Sequence, residues 1–188
     1  QQVFAQPSFS PKTDFSVGDL VYSVVTADFN GDEKKDMAVT KVNTDAVSVF
    51  LSSTVPGASI PAFSASVDFS VGPAPISITT ADFNGDGKED IAVGNFNGNS
   101  FSVLLNTTLT GSSTPSFSAA TTISTGGFTS YIEAADFNGD GLQDVLITAR
   151  NSAAASIFIN TTVPGASTPS FSAKTDFAAG NQPAGITI

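Results

Sequence analysis

The sequence predicts an all-β chain of β-propeller-type, four-stranded blades, with three full 54-residue repeats plus a half repeat. Three observations carry the prediction. The hexapeptide ADFNGD occurs at Ala27–Asp32, Ala81–Asp86 and Ala135–Asp140, each copy 54 residues from the last. Pro-Xaa-Phe-Ser keeps the same spacing at Pro7, Pro61, Pro115 and Pro169. Each period also holds short apolar runs separated by Gly, Pro, Asn and Ser, with no helical periodicity anywhere.

Within a unit the first strand runs into the ADFNGD turn, at Val21–Phe29, Ile76–Phe83 and Tyr131–Phe137. A second strand follows the turn, at Met37–Val42, Ile91–Phe96 and Val145–Ala149. The third, at Ala46–Leu51, Ser100–Leu105 and Ala155–Ile159, alternates apolar and polar residues as a half-buried strand does. A Phe-bearing segment supplies the fourth. These signals divide the chain into a leading outer strand within 1–20, blades at 21–74, 75–128 and 129–182, and a trailing inner strand at 183–188. Three and a half units are too few to close a ring of 4–8 blades, so the array is open unless more chain or another subunit completes it. A ring of copies and a head-to-tail filament are both open solutions. The recurring Phe9, Phe63, Phe117 and Phe171, and Phe29, Phe83 and Phe137, are expected in the core.

The turns carry the chemistry. They read DFNGDEKKD at Asp28–Asp36, DFNGDGKED at Asp82–Asp90 and DFNGDGLQD at Asp136–Asp144. Side-chain oxygens stand at turn positions 1, 3, 5 and 9, and position 7 can add a backbone carbonyl from Lys34, Lys88 or Leu142. A hard cation such as Ca²⁺ takes 6–8 oxygen ligands, and a tight turn with oxygens at alternate positions can supply most of them. The EF-hand's Glu at position 12 is missing, since Val39, Val93 and Ile147 stand there. Metal-free Asx turns remain the simpler alternative, because Asn-Gly and Asp-Gly form turns without a cation. Against it, three carboxylates in nine residues repel one another. The first turn differs in carrying Glu33 where the others carry Gly87 and Gly141, so its bend is expected to be strained or its affinity lower.

Composition narrows the remaining choices. The chain has 188 residues, no Cys and no His, which removes disulfides, thiolate metal sites and Ser-His-Asp or Cys-His catalysis. A formal charge of −10 argues against nucleic acid and anionic membranes as partners, and no apolar run is long enough for membrane insertion. Nine of the 17 acidic residues stand at positions 1, 5 and 9 of the three turns, so much of the acidity is concentrated there.

The turns and their flanks resemble the FG-GAP/VCBS repeat family, also found in the integrin α-subunit propeller. The parts that carry the resemblance are Phe69-Ser-Val-Gly72, Pro73-Ala-Pro75, Ile76–Thr80, Ala81–Gly87 and Ile91–Val93. The third unit departs from the pattern, with Gly126, Gly127 and Phe128 in place of the Pro-bearing turn. The resemblance implies propeller blades with Ca²⁺ in three sites, each in the loop joining a blade's first two strands. The implied ligands are Asp28, Asn30, Asp32, the Lys34 carbonyl and Asp36; then Asp82, Asn84, Asp86, the Lys88 carbonyl and Asp90; then Asp136, Asn138, Asp140, the Leu142 carbonyl and Asp144.

Other features stand outside the turns. Asn106-Thr-Thr and Asn160-Thr-Thr are N-glycosylation sequons or else polar strand ends. Glu133, Tyr22, Tyr131 and Arg150 each occur once in the repeat frame, and nothing in the sequence places them together. The reading is of a non-enzymatic module, extracellular or on the cell surface, for adhesion, matrix or filament assembly. Its expected partners are other copies of itself or further repeats of a longer chain, with carbohydrate or an extracellular protein as further candidates. A lectin-like carbohydrate-binding propeller and a propeller segment of a secreted polysaccharide-active enzyme are the alternatives.

Overall fold

Each of the three ADFNGD copies sits at the same joint of the same unit. The structure is a computed structural model that describes residues 12–183 and 185. The described residues form twelve strands and no helix. They are β1 (Val21–Ala27), β2 (Asp36–Lys41), β3 (Ala46–Phe50) and β4 (Val67–Ser70), then β5 (Pro75–Ala81), β6 (Asp90–Asn95), β7 (Ser100–Leu104) and β8 (Thr121–Ser124), then β9 (Thr129–Ala135), β10 (Asp144–Ala149), β11 (Ala154–Phe158) and β12 (Thr175–Ala178).

They make three antiparallel four-stranded meanders, β1-β2-β3-β4, β5-β6-β7-β8 and β9-β10-β11-β12. The pairing registers repeat with the sequence period, as in Val39↔Ser48, Val93↔Ser102 and Ile147↔Ser156. The first strands β1, β5 and β9 lie side by side, so the sheets stack as blades around one inner edge. None of the sheets closes into a barrel, and the expected all-β, open propeller-like blades are what forms.

Two apolar cores fill the gaps between adjacent sheets. Between the first and second sheets lie Phe29, Val47, Val49, Ile78, Ile91 and Val93. One period on, between the second and third, lie Phe83, Phe101, Val103, Ile132, Val145 and Ile147. The same positions do the same job twice, because each blade offers one face backward and the other forward. Edge-to-face ring pairs tie the blades together, Phe29 with Phe117 and Phe83 with Phe171.

The structure differs from the sequence reading at three places. The third strands β3 and β7 are buried along their whole length rather than half-buried, and the sheet of β7 has a core on each side. Their serines are satisfied inside, Ser48 by Asp68 and Ser102 by Asn95 and Thr122. Phe137 is 41% exposed, unlike Phe29 and Phe83, because no further sheet lies against it among the described residues. The leading outer strand expected within 1–20 is not formed at residues 12–20, where Thr13–Ser16 stands in the register of β4 with no strand beside it. Residues 1–11, with Phe9, and most of the trailing strand at 183–188 lie outside the described residues.

Candidate functional site

The three Asp-rich turns join the first and second strands of each blade, β1 to β2, β5 to β6 and β9 to β10. Their folding follows from local hydrogen bonding. A short carboxylate early in a turn can accept from backbone N–H groups a few residues on, which bends the chain into an Asx turn. Asp28 accepts from the N–H of Asp32 at 3.1 Å and of Glu33 at 2.7 Å. Asp82 does the same for Asp86 at 3.1 Å and Gly87 at 2.7 Å. Asp136 accepts from Gly139 at 2.6 Å and Gly141 at 2.9 Å. Asn30, Asn84 and Asn138 then cap the N–H of Asp32, Asp86 and Asp140, which in turn cap Lys34, Lys88 and Leu142.

The sixth position is left-handed in all three, with φ of 66° at Glu33, 84° at Gly87 and 89° at Gly141. Only glycine adopts this φ without steric cost, so the strain expected at Glu33 is present in its backbone. The turn nonetheless keeps the same hydrogen-bond pattern as the second.

Asp36, Asp90 and Asp144 close each turn and are fully buried. One oxygen accepts from the N–H of Phe29, Phe83 or Phe137 at 2.8–2.9 Å. The other accepts from the N–H of Ser52, Asn106 or Asn160 at 2.7–2.8 Å, just beyond the third strand. Each of these carboxylates thus clamps the turn to the far end of its own sheet. Burial pushes the Asp90 carboxyl up to about 7, against the pull of the Asn106 and Phe83 N–H groups, and the nearby Asp86 and Asp82 raise it further. Asp36 is raised for the same reasons, by burial first and then by Asp32 and Asp28. Asp32 is lowered, chiefly by its bond from Lys34, which also pairs with it at 2.9 Å.

The donor chemistry of each turn fits a hard cation: three carboxylates, one amide oxygen and the backbone carbonyls. The side chains are not gathered into a finished cage, and no three acidic groups converge closely enough to hold a metal among the described residues. Asp28, Asp82 and Asp136 spend their oxygens on the turn's own N–H groups, so ligation would need them to rotate toward a shared centre.

The turns differ in what stands next to them. Asn30 and Asn84 are buried, and their amides reach the following blade at Ser112 O (2.9 Å) and Ala166 O (3.2 Å). Gly111 and Gly165 return the contact by donating to the carbonyls of Asn30 and Asn84. Asn138 is exposed, and its amide reaches only Asp140. The structure therefore groups the first and second turns together and sets the third apart.

The two sequon asparagines are a correction. Asn106 and Asn160 are 2% exposed. Their Nδ2 groups donate across the blade boundary to Phe29 O and Phe83 O at 2.9 Å, and within their own blade to Glu89 O and Gln143 O. The folded chain has no room for a sugar on either nitrogen, and these residues are inter-blade clamps. Sequence reasoning missed that role because the partners are carbonyls about one and a half repeats away.

The structure also joins what the sequence left apart. Tyr22, Tyr131, Glu133 and Arg150 line one cleft of about 840 Å³ along β1, β5 and β9, with Thr79 Oγ1 3.4 Å from the Glu133 carboxylate.

Comparison with known proteins agrees with the geometry. No curated protein matches the chain significantly. The model of the FG-GAP-like repeat family matches residues 82–147, from the second Asp-rich turn through the third and into β10. Over these residues the chain is similar to an FG-GAP-like repeat, and the likeness agrees with the open, propeller-like blades.

Proposed function

We propose that this array is a non-enzymatic, calcium-stabilised module of an extracellular or cell-surface protein, serving adhesion, matrix or filament assembly. One observation carries the reading. The same oxygen-rich turn recurs three times at the same joint, each time with a buried aspartate held by two backbone N–H groups. A buried carboxylate beside two others is unfavourable alone and favourable beside a divalent cation. Asp28, Asn30, Asp32 and Asp36 would hold Ca²⁺ in the first turn, and their equivalents in the second and third. Bound Ca²⁺ supplies positive charge that neutralises the turn and ties its carboxylates together. Asp36, Asp90 and Asp144 pass that restraint to Ser52, Asn106 and Asn160, at the end of the third strand.

Repetition also supports a structural rather than catalytic role for the turns, since a catalytic centre needs groups of different kinds in one place. Partners of this module are further blades, in the same chain or in another copy, packing against the faces that the first and third sheets leave open. Chelation tests the calcium reading. EDTA is expected to lower the melting temperature by several degrees, and excess Ca²⁺ to restore it. A ligand at 100 times its Kd adds about 2.7 kcal/mol per site. Identical melting curves in EDTA and in Ca²⁺ would sink the reading.

A further inference from the structure

The cleft along the three inner strands is where the repeat is broken. Core positions recur because each inter-blade gap has the same shape. An asymmetric ligand calls for different side chains on equivalent positions. The frame position of Tyr22 holds Ile76 and Ser130 in the other blades, and that of Tyr131 holds Ser23 and Ser77. Glu133 replaces Val25 and Thr79, and Arg150 replaces Val42 and Phe96. Both tyrosines of the chain and its single arginine line this one cleft.

We propose that this cleft binds a short saccharide bearing a carboxylated sugar unit, independently of the calcium reading. Its volume of about 840 Å³ lies within the range of small-molecule sites. Tyr22 and Tyr131 are 65% and 43% exposed, so each offers a ring face and a hydroxyl to solvent at low entropic cost. Flat rings with polar tips suit the C–H faces and hydroxyls of a sugar. Arg150, also exposed, presents a planar fork that matches a carboxylate with two parallel N–H bonds. The Glu133 carboxylate is an acceptor for sugar hydroxyls, and Thr79 and Ser77 add hydroxyls on the neighbouring strand. In a chain of net charge −10, the one arginine gives an acidic ligand a local anchor, and a long polyanion would be repelled elsewhere. That balance selects a short ligand with an isolated carboxylate over a densely charged polymer.

The chain has two tyrosines and no tryptophan, so its intrinsic fluorescence reports on this cleft alone. Titration with a hyaluronan disaccharide and an aldotetraouronic acid, each bearing one carboxylate, should change tyrosine emission saturably, and cellotetraose should bind at least about tenfold more weakly. Arg150→Ala should bring the acidic saccharides down to the neutral level, and Arg150→Lys should recover part of the loss. Glu133→Gln should weaken acidic and neutral saccharides alike. Far-UV circular dichroism and an unchanged melting curve would show that the variants fold. Three results would overturn the proposal: no emission change with either acidic saccharide, equal affinity for cellotetraose, or an Arg150→Ala protein that binds as tightly as the original. Occupancy of the cleft by a short peptide with a free carboxylate, with saccharides failing to compete, would overturn it too.

Discussion

The second and third Asp-rich turns have the same DFNGDG core and different surroundings. In the second, Phe83 is fully buried between sheets, and the Asn84 amide bonds to Ala166 of the next blade. In the third, Phe137 is 41% exposed and Asn138 bonds only within its own turn. Inside the blade the two are alike, because Asp90 and Asp144 make the same pair of backbone bonds and both are fully buried. The unit thus has two kinds of part. The turn and its clamp are built within one blade, whereas the aromatic and amide side chains that leave the turn are completed only by a neighbour.

The largest test of this division is Phe83→Ala, which removes a ring from the core between the second and third sheets. Burying an aromatic is worth about 3–5 kcal/mol when the ring is deleted from a core. Urea denaturation should show that loss at Phe83 and less than about 1 kcal/mol at Phe137. Equal losses would mean that the third turn is buried in solution by a partner.

Next in size come Asp90→Asn and Asp144→Asn. Each replaces one accepting oxygen with an NH2 donor that faces a backbone N–H, leaving a buried group unpaired at a cost of about 1–3 kcal/mol. The two costs should agree within about 0.5 kcal/mol if the clamp is internal to each blade. A gap much wider than that would show that the neighbouring blade helps to hold it.

A smaller contrast is expected for Asn84→Ala and Asn138→Ala. The first leaves the Ala166 carbonyl without its donor and should cost about 1–2 kcal/mol, while the second should stay within about 0.5 kcal/mol of the original.

The smallest effect concerns the outer strands. Asp68 in β4 and Asp176 in β12 bond Ser48 and Ser156, and Thr122 stands at the same place in β8. Asp176 is lowered by its bond from Lys174 and then by Ser156. Burial works to raise Asp68 but is outweighed by Lys41 and Ser48, so it too is lowered. A carboxyl whose folded pKa lies below its unfolded value stabilises above the unfolded value of about 3.9 and loses that contribution as pH falls through the folded one. Below about pH 4, hydrogen exchange should quicken in β4 and β12 while β8, held by Thr122, keeps its protection.

Much of this was legible from residues. The 54-residue spacing gave the blade count, and the Gly, Asn and Pro clusters gave the strand order, because turn chemistry is local. The Asp-rich turns were readable for the same reason, since their oxygens lie within nine residues of one another. Where the reading failed, long-range partners decided. The sequon pattern at Asn106 and Asn160 says nothing about carbonyls in a neighbouring blade. The alternation in Ser100–Leu105 suggests one wet face, yet a second sheet covers it and Asn95 and Thr122 satisfy Ser102.

The sequence alone determined the repeat, the all-β blades and the oxygen-rich turns, since periodicity and turn propensity act over a few residues. Only the tertiary structure decided which copies of a repeated residue are buried. Burial depends on the sheet that lies alongside, which separates Phe83 from Phe137 and Asn84 from Asn138 despite identical local sequence. It also decided that Tyr22, Tyr131, Glu133 and Arg150 share a cleft, because inner strands 54 residues apart in sequence lie side by side once the blades stack.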